Sequence, residues 1–449
     1  MNKRGPERML WLLCLVLTGT TLNAQNTTTR HEFTIQQAVE YAGKNNAQVK
    51  NALLNVQVQQ QTNRDITASA LPSVTGSIGM TDYIKIPTSL LPGEIFGQPA
   101  GTYIPVQFGT KYNSTASIQL QQLLFDGQVF IALQARATSI EFQNKNKEVT
   151  EEAIKTNIYK IYYQLVVSKT QIDLLDANIA RLQKLDHDAK ELYKNGFAER
   201  LDIDKIAVQL ANLQTEKIKA LNSISIGYLG LKTLMGMPVK DTLVLTDKIN
   251  EAQIKEDFSN DTVYQYTDRK DFQYLSLAKK LNEFNIKRYQ LSYIPTLSLN
   301  GSYSKNAQRN TFDFFGKGDW FTTSYVGINL AIPIFDGFSR SAKIKKSRIE
   351  LQQTENQIDN LKLSIDGEVE QSKINYKSAL STMDFQKQNM QLAETVYNQT
   401  KKKFESGTGS NTEITSAQTD LVTAQTNYIT ALYSAIIAKV DYLKATGKL

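Results

Sequence analysis

Leu123-Leu124-Phe125-Asp126-Gly127 returns further along the chain as Pro333-Ile334-Phe335-Asp336-Gly337, with Phe125 and Phe335 separated by 210 positions. Three more landmarks keep step at a spacing of 211: Gly196 with Gly407, Asp202 with Glu413, and Met235-Gly236 with Thr446-Gly447. A duplication of this length spans most of the 449 residues and sets the folding unit, which is too long for a solenoid repeat. Each copy holds two short alternating segments followed by two very long helical ones. The pair therefore predicts four strands and two long helical hairpins.

The strands come ahead of each hairpin. Ala116, Ile118 and Leu120 alternate with Thr115, Ser117, Gln119 and Gln121, and the second copy answers with Val326, Ile328, Leu330 and Ile332 against Tyr325, Gly327, Asn329 and Ala331. Their partners carry Val74, Ile78 and Met80 in the first copy and Leu297, Leu299 and Tyr303 in the second. Strands of about ten residues, apolar on one face and polar on the other, are the signature of a transmembrane β-barrel; a hairpin half-buried on a soluble core gives the same alternation strand by strand. Tyr83, Tyr103, Tyr112, Tyr303, Phe312, Phe314, Phe315, Trp320, Phe321 and Tyr325 gather at strand ends and loops, as an interfacial girdle or a loop cluster would. The first loop, about 86–111, carries four prolines and reads as irregular.

Four strands cannot close a barrel, and an open edge in lipid would strand backbone groups at several kcal/mol each. Single-chain barrels start at about eight strands, so two or more copies are required, and a trimer supplies twelve.

The helical segments read as coiled-coil hairpins. Ile154, Ile158, Ile161, Leu165, Ile172, Leu175, Ile179 and Leu182 follow a four-three spacing, with Ser168 in the missing slot. The pattern runs from about Gln128 to Lys194, a length of about 100 Å at 1.5 Å per residue. Asn195-Gly196 turns the chain, and Ile203, Ile206, Leu210, Leu213, Ala220, Ile224, Leu231 and Met235 return. In the second copy Leu351, Ile358, Leu361, Ile365, Tyr376, Met383, Met390, Tyr397 and Phe404 descend; Ile414, Leu421, Tyr428, Leu432 and Ala435 return, amid many Gln, Asn, Ser and Thr. A solvated rod would share this pattern; the strands beside it shift the reading away from an isolated rod.

Residues 1–24 read as an export signal, with Lys3, Arg4 and Arg8 before the apolar Met9 to Leu17 and a small-residue cleavage site at Leu22-Asn23-Ala24. Cys14, the only cysteine, lies inside it, so no thiol chemistry is expected of the mature protein. No later apolar run approaches the roughly 20 residues of a spanning helix. A formal charge of +7, with both signs interspersed, argues against nucleic-acid binding. The two histidines, His31 and His187, are too few for a convergent catalytic or metal site, so neither enzyme activity nor a cofactor is expected. Asp126-Gly127 and Asp336-Gly337, with Phe125 and Phe335 ahead of them, punctuate the strand-to-helix change.

On these motifs the chain resembles the TolC-like outer-membrane efflux protein family. The resemblance runs over nearly the whole mature chain, through Phe33 to Val39, Leu71-Pro72 and Ile294-Pro295 before the first strand of each copy, Phe-Asp-Gly after the second, and the glycine-bearing tips. It implies an α+β membrane protein: a trimer whose twelve strands form a barrel in outer-membrane lipid and whose helices continue it as a periplasmic tunnel. The chain then divides into 1–24, a first repeat 25–236, a linker 237–266 and a second repeat 267–449. The implied function is the exit duct of a tripartite efflux pump, docked at its tips to a periplasmic membrane-fusion adaptor and an inner-membrane pump of RND or ABC type.

Gly196, Phe197 and Ala198 with Gly407, Thr408 and Gly409 are the implied docking tips, and Asp202 and Glu413 match the family's acidic gate. Ser416 stands where a second acid is common, and Gly409 where a basic residue links helices. Acids in the first turn after a break also favour the helix dipole, which is the competing account of Asp202 and Glu413. Two other functions fit: the outer-membrane component of a type I protein secretion system, which shares this architecture, and a periplasmic coiled-coil adaptor or rod, which has no use for four amphipathic strands.

Overall fold

The computed structural model describes residues 29–256, 264–315 and 318–449; the expected signal segment and part of the 237–266 linker lie outside them. In chain order the elements are β1 (Arg30–Phe33), α1 (Ile35–Asn45), α2 (Ala47–Ala68), β2 (Ser73–Asp82), β3 (Thr88–Pro92), β4 (Tyr103–Gln107), β5 (Tyr112–Phe125), α3 (Gly127–Lys194), α4 (Arg200–Met235), β6 (Thr242–Leu245), α5 (Glu251–Lys255), α6 (Lys270–Leu291), β7 (Thr296–Arg309), β8 (Phe321–Ala331), α7 (Ser339–Glu405) and α8 (Asn411–Ala445). The fold is α+β and mostly helical, with α3 and α7 at 68 and 67 residues. No helix among the described residues is long and apolar enough to cross a membrane.

The chain falls into two compact units. One comprises Ala47–Thr156, Asp257–Ser378 and Ala438–Leu449 and contains a four-stranded antiparallel sheet of order β2-β5-β7-β8. Register sorts its two faces. Val74, Leu120, Gly301 and Val326 stand in one row and Leu299 opposes Ile328, whereas Ser77, Ser117, Ser304 and Thr323 make a row on the other. On that polar face the Ser77 and Ser117 hydroxyls lie 2.8 Å apart, and Thr115 donates to Asn306 Oδ1 at 2.8 Å. Every residue of β2 is exposed, as are the apolar Val326, Ile328 and Leu330 of β8. The expected irregular loop differs: β3 and β4 form a two-stranded hairpin inside it, because Leu90 to Pro92 and Tyr103 to Pro105 pair despite the prolines.

Arg269 ties this unit together. Its buried guanidinium bonds Asp271 Oδ2 at 2.7 Å, Glu368 Oε2 at 3.0 Å and the Ala445 carbonyl at 3.1 Å. Burial disfavours its charge, but Asp271 and Glu368 together hold its pKa above the ordinary value. Tyr264 and Tyr266 both donate to Asp366 Oδ1, and that bond, foremost, pushes Tyr264 up to about 12.

The other unit comprises Met1–Asn46, Asn157–Glu256 and Ala379–Ile437. Here β1 and β6 pair in parallel, Phe33 opposite Leu245, linking the start of the described chain to the stretch after α4. Tyr162 donates to the Phe33 carbonyl at 2.9 Å, and Asp247 Oδ2 accepts from the Ile35 amide at 2.8 Å. Gly236 closes α4 with φ +71, where a Cβ would lie 2.4 Å from the Asn45 carbonyl oxygen; only glycine fits.

Apolar packing follows the expected periodicity with one change. Ile158 and Leu165 are buried, but Ile161 is half-buried and Tyr162 takes the interior place. A seam that faces one neighbour buries one stripe; burial of Tyr162, Val166 and Val167 besides means that more than one side of α3 is covered.

Candidate functional site

Both hairpins turn in the same way. At the first, Gly196 (φ +80) donates to the Tyr193 carbonyl at 3.0 Å and Phe197 to that of Leu192 at 2.9 Å. At the second, Gly407 (φ +75) donates to Phe404 and Thr408 to Lys403, both at 3.0 Å. These are paired reverse bonds of a Schellman motif, which need a left-handed residue at the turn and so explain both glycines. Gly409 has a different reason: a Cβ there would lie 3.0 Å from the Phe404 amide nitrogen. Phe197 projects into solvent at 80% exposure, while Ala198 and Gly409 are partly covered.

The two candidate gate acids occupy equivalent places. Asp202 Oδ2 accepts from the Glu199 amide at 3.3 Å, and the Glu199 side chain accepts from the Asp202 amide, completing a capping box at the start of α4. Glu413 Oε2 accepts from the Ser410 amide at 3.3 Å, and Ser410 Oγ accepts from the Glu413 amide at 3.2 Å, completing another at the start of α8. Each acid therefore already satisfies a helix-terminal donor that would otherwise be orphaned. Ser410-x-x-Glu413 was legible as a capping signature in the sequence; Glu199 at a cap is less usual and gave no such signal.

The tips lie side by side. Asn411 Nδ2 donates to the Asp202 carbonyl at 3.3 Å, and Gln209 Nε2 to Thr419 Oγ1 at 3.0 Å. A cleft of 1110 Å³ between them is lined by residues of both turns, including Phe197, Asp202, Phe404 and Asn411. Beneath it Leu182, Leu185, Ile203, Ile206, Ile414 and Leu421 form an apolar core. Ile203 and Ile414 follow the two acids directly in sequence, so core packing fixes the backbone from which both carboxylates project.

A polar layer that sequence reading missed interrupts this bundle. Asn178 donates to Gln425 Oε1 at 2.7 Å and accepts at Oδ1 from Gln418 Nε2 at 3.1 Å and from Arg181 at 2.9 Å. Arg181 also lies over the Tyr397 ring, 5.7 Å from its centroid. Single Asn and Gln residues amid so many polar ones carried no sequence signal; only burial distinguishes them.

At the strand-to-helix junctions, Asp126 Oδ1 accepts from the Gln128 amide at 2.7 Å and Asp336 Oδ2 from the Arg340 amide at 2.9 Å. Phe125 ends β5, and Phe335 pairs edge-on with Phe338 at 5.6 Å. Gly337 and Phe338 both have positive φ, +63 and +66. His187 is exposed on α3, and among the described residues no group of three or more His, Cys, Asp or Glu is placed to hold a metal.

Residues 269–448 match the protein family described as outer membrane efflux protein. The chain is similar to outer membrane protein TolC of Vibrio cholerae serotype O1, at 18% identity over 75% of this chain and 77% of that one. It is similar to outer membrane efflux protein BepC of Brucella suis biovar 1, at 22% identity over 97% and 89%, and to proteases secretion protein PrtF of Dickeya chrysanthemi, at 19% over 55% and 54%. Its fold is that of the outer membrane protein VceC from Vibrio cholerae, with a TM-score of 0.72 at 14% identity, covering 92% of this chain and 96% of the other. The chain is thus similar in sequence to outer-membrane efflux and secretion proteins and in fold to VceC, and the outer membrane, the location that the sequence predicted, is where the names of TolC, BepC and VceC place those proteins.

Proposed function

We propose that three copies of this chain form a passive exit duct across the outer membrane, with a twelve-stranded barrel in lipid and a helical tunnel in the periplasm. The observation that carries this reading is the sheet β2-β5-β7-β8: apolar on one face, polar on the other, and unpaired at both edges. Edges of that kind are satisfied in lipid only by closure, and four strands close only by sharing a barrel.

In this reading the chain performs no catalysis. The tips formed by Gly196, Phe197, Ala198, Gly407, Thr408 and Gly409 face a periplasmic adaptor, which an inner-membrane pump of RND or ABC type loads with small molecules. The cleft between the tips and the exposed Phe197 support a docking role. Asp202 and Glu413 are the candidate gate; their use in capping boxes leaves one carboxylate oxygen of each for the pore. The extent of each repeat, 25–236 and 267–449 with a linker at 237–266, belongs to the same reading.

A type I secretion role is the second reading, favoured by the likeness to a protein named for protease secretion. The test is a planar-bilayer recording of purified protein joined to a deletion phenotype. Stable single-channel current with loss of small-molecule export on deletion supports the duct; loss of a secreted polypeptide instead selects the second reading; absence of current rejects both.

A further inference from the structure

The second copy of the repeat carries charge where the first does not. The ten residues that open α7, Ser339 to Arg348, include Arg340, Lys343, Lys345, Lys346 and Arg348 and no acid, whereas the ten that open α3, Gly127 to Arg136, include Arg136 alone. Arg136 is used inside the fold, its guanidinium donating to Thr67 Oγ1 and to the Leu133 carbonyl. Arg340 is engaged too, paired with Asp336 at 3.6 Å and lying over the Tyr293 ring. The other four are exposed, and of these only Lys346 has an ion-pair partner among the described residues, Glu350 at 3.6 Å. Cations in the first turn oppose the helix dipole, and Lys343 with Lys346 and Lys345 with Arg348 are like charges one turn apart on the helix surface. Nothing in the hairpin requires this repulsion, since α3 is built without it.

The charges follow directly on surface suited to lipid. Val326, Ile328 and Leu330 stand exposed on the apolar face of β8, and Ile332 and Ile334 continue the two-residue spacing, Ile334 at 93% exposure. Phe335 and Phe338 come next, paired edge-on and both exposed, and the first of the four free-standing cations lies five positions beyond Phe338. Helical period fixes which way the cations point. Ser347 and Thr354, both buried, mark the packed side of α7; at about 100° per residue Lys345 and Ile349 lie on the opposite side, with Arg348 at their flank. A surface that runs from alternating aliphatic residues through aromatic ones to exposed cations repeats the layers of a bilayer leaflet: acyl chains, interface, phosphates.

We infer that the start of α7 is a docking site for anionic phospholipid headgroups in the leaflet on the helix side of the sheet, with Lys345 and Arg348 contacting the phosphate and Lys343 and Lys346 adding charge alongside. This rests on the outer-membrane duct proposed above and adds which lipid the chain selects and by which residues. An Arg fork engages two phosphate oxygens and Lys acts as a point charge, so the cluster favours a headgroup of net negative charge over one whose own ammonium neutralises its phosphate. The long stems let the cations reach back toward the phosphates while their methylenes cover apolar surface.

Native mass spectrometry of the detergent-solubilised full chain tests the site, with equal amounts of phosphatidylglycerol and phosphatidylethanolamine as the added lipids. One variant combines Lys343→Gln, Lys345→Gln, Lys346→Gln and Arg348→Gln; a smaller one carries only Lys345→Gln and Arg348→Gln. A charge-keeping set combines Lys343→Arg, Lys345→Arg, Lys346→Arg and Arg348→Lys, and a control replaces four other exposed lysines, Lys169, Lys184, Lys219 and Lys240, by Gln. The expected result is a three-chain particle that retains phosphatidylglycerol over phosphatidylethanolamine by about fivefold or more, the factor that one cation near a membrane surface contributes. Both Gln variants at α7 should lower that preference, the four-site one abolishing it, while the charge-keeping set and the control retain it. A three-chain particle with no preference, or with a preference unchanged in the Gln variants, would overturn the site and leave the duct intact. Equal loss in the control would overturn it as well, by assigning the effect to total charge. Binding of free glycerol phosphate as strong as that of the lipid would mark a soluble-anion site and overturn the lipid assignment. A single-chain particle would reject the duct and this site with it.

Discussion

Asn178 donates a 2.7 Å hydrogen bond to Gln425, and both side chains are buried between long helices. Gln418 completes the layer through Asn178 Oδ1. Such a layer gives little net stability but penalises every helix register that would leave its amides unpaired. Replacing Asn178 with Leu strands both glutamines and should cost about 1–3 kcal/mol, read as a lower denaturation midpoint. Replacing Asn178, Gln418 and Gln425 together by Leu should recover much of that loss, and an equal or larger loss in the triple variant would refute a satisfaction effect.

The capping boxes separate stability from gating. Ser410→Ala removes the acceptor for the Glu413 amide and should cost about 1 kcal/mol of local stability, measured by amide exchange in the first turn of α8. Glu413→Gln keeps an acceptor oxygen for the Ser410 amide yet removes the charge. If the acids also line the pore, Asp202→Asn with Glu413→Gln should reduce cation preference in a bilayer with little change in amide exchange. Unchanged selectivity would confine both acids to their caps.

Glu251 supplies a pH dependence with a defined sign. Lys387 donates to it at 2.7 Å and Tyr428 at 2.7 Å, and the Lys387 bond foremost, with Tyr428 after it, outweighs burial to hold the carboxyl below its ordinary 4.5. A carboxyl depressed on folding contributes stability above its unfolded pKa and loses it as pH falls through the folded one. Thermal unfolding should therefore show the native chain more stable than a Glu251→Gln variant at neutral pH, with the gap closing below about pH 4.5. A gap that does not narrow as the pH falls below that value would contradict this. Tyr428, raised by burial and by Glu251, remains protonated throughout.

Gly127 should resist any side chain, because Leu291 Cβ and its carbonyl oxygen stand 2.8 and 3.0 Å from the would-be Cβ. Gly127→Ala should destabilise the assembled protein by roughly 1–3 kcal/mol through overpacking, read as a lower midpoint of heat-induced loss of the folded form. A neutral effect would mean that the helix start moves freely against α6.

The parts of the fold written in the sequence are those set by period and breakers. Asp126 and Gly127 marked the start of α3 within a residue, and the dyad pattern at Thr115 to Gln121 assigned the faces of β5 correctly, because alternation and helix caps are local physics. Other features depend on distant partners. The β1–β6 pair is four residues long and joins segments some 210 positions apart, and the polar layer at Asn178 of α3 exists only because α8 brings Gln418 and Gln425 to it. The heptad predicted Ile161 inside, but Tyr162 has a hydrogen-bond partner at Phe33 that draws it inward instead. At the tips, the glycines and the Ser410-x-x-Glu413 signature were legible, while the cap that Glu199 and Asp202 make emerged only from the backbone geometry.

The central claim is that one chain supplies a third of a barrel. The most direct measurement is the mass of the detergent-solubilised protein by light scattering, corrected for bound detergent. The account predicts particles of three chains that dissociate only with loss of strand structure. Monodisperse single chains that keep their strand content in detergent would contradict it, since the open edges of β2 and β8 would then be stable without a partner.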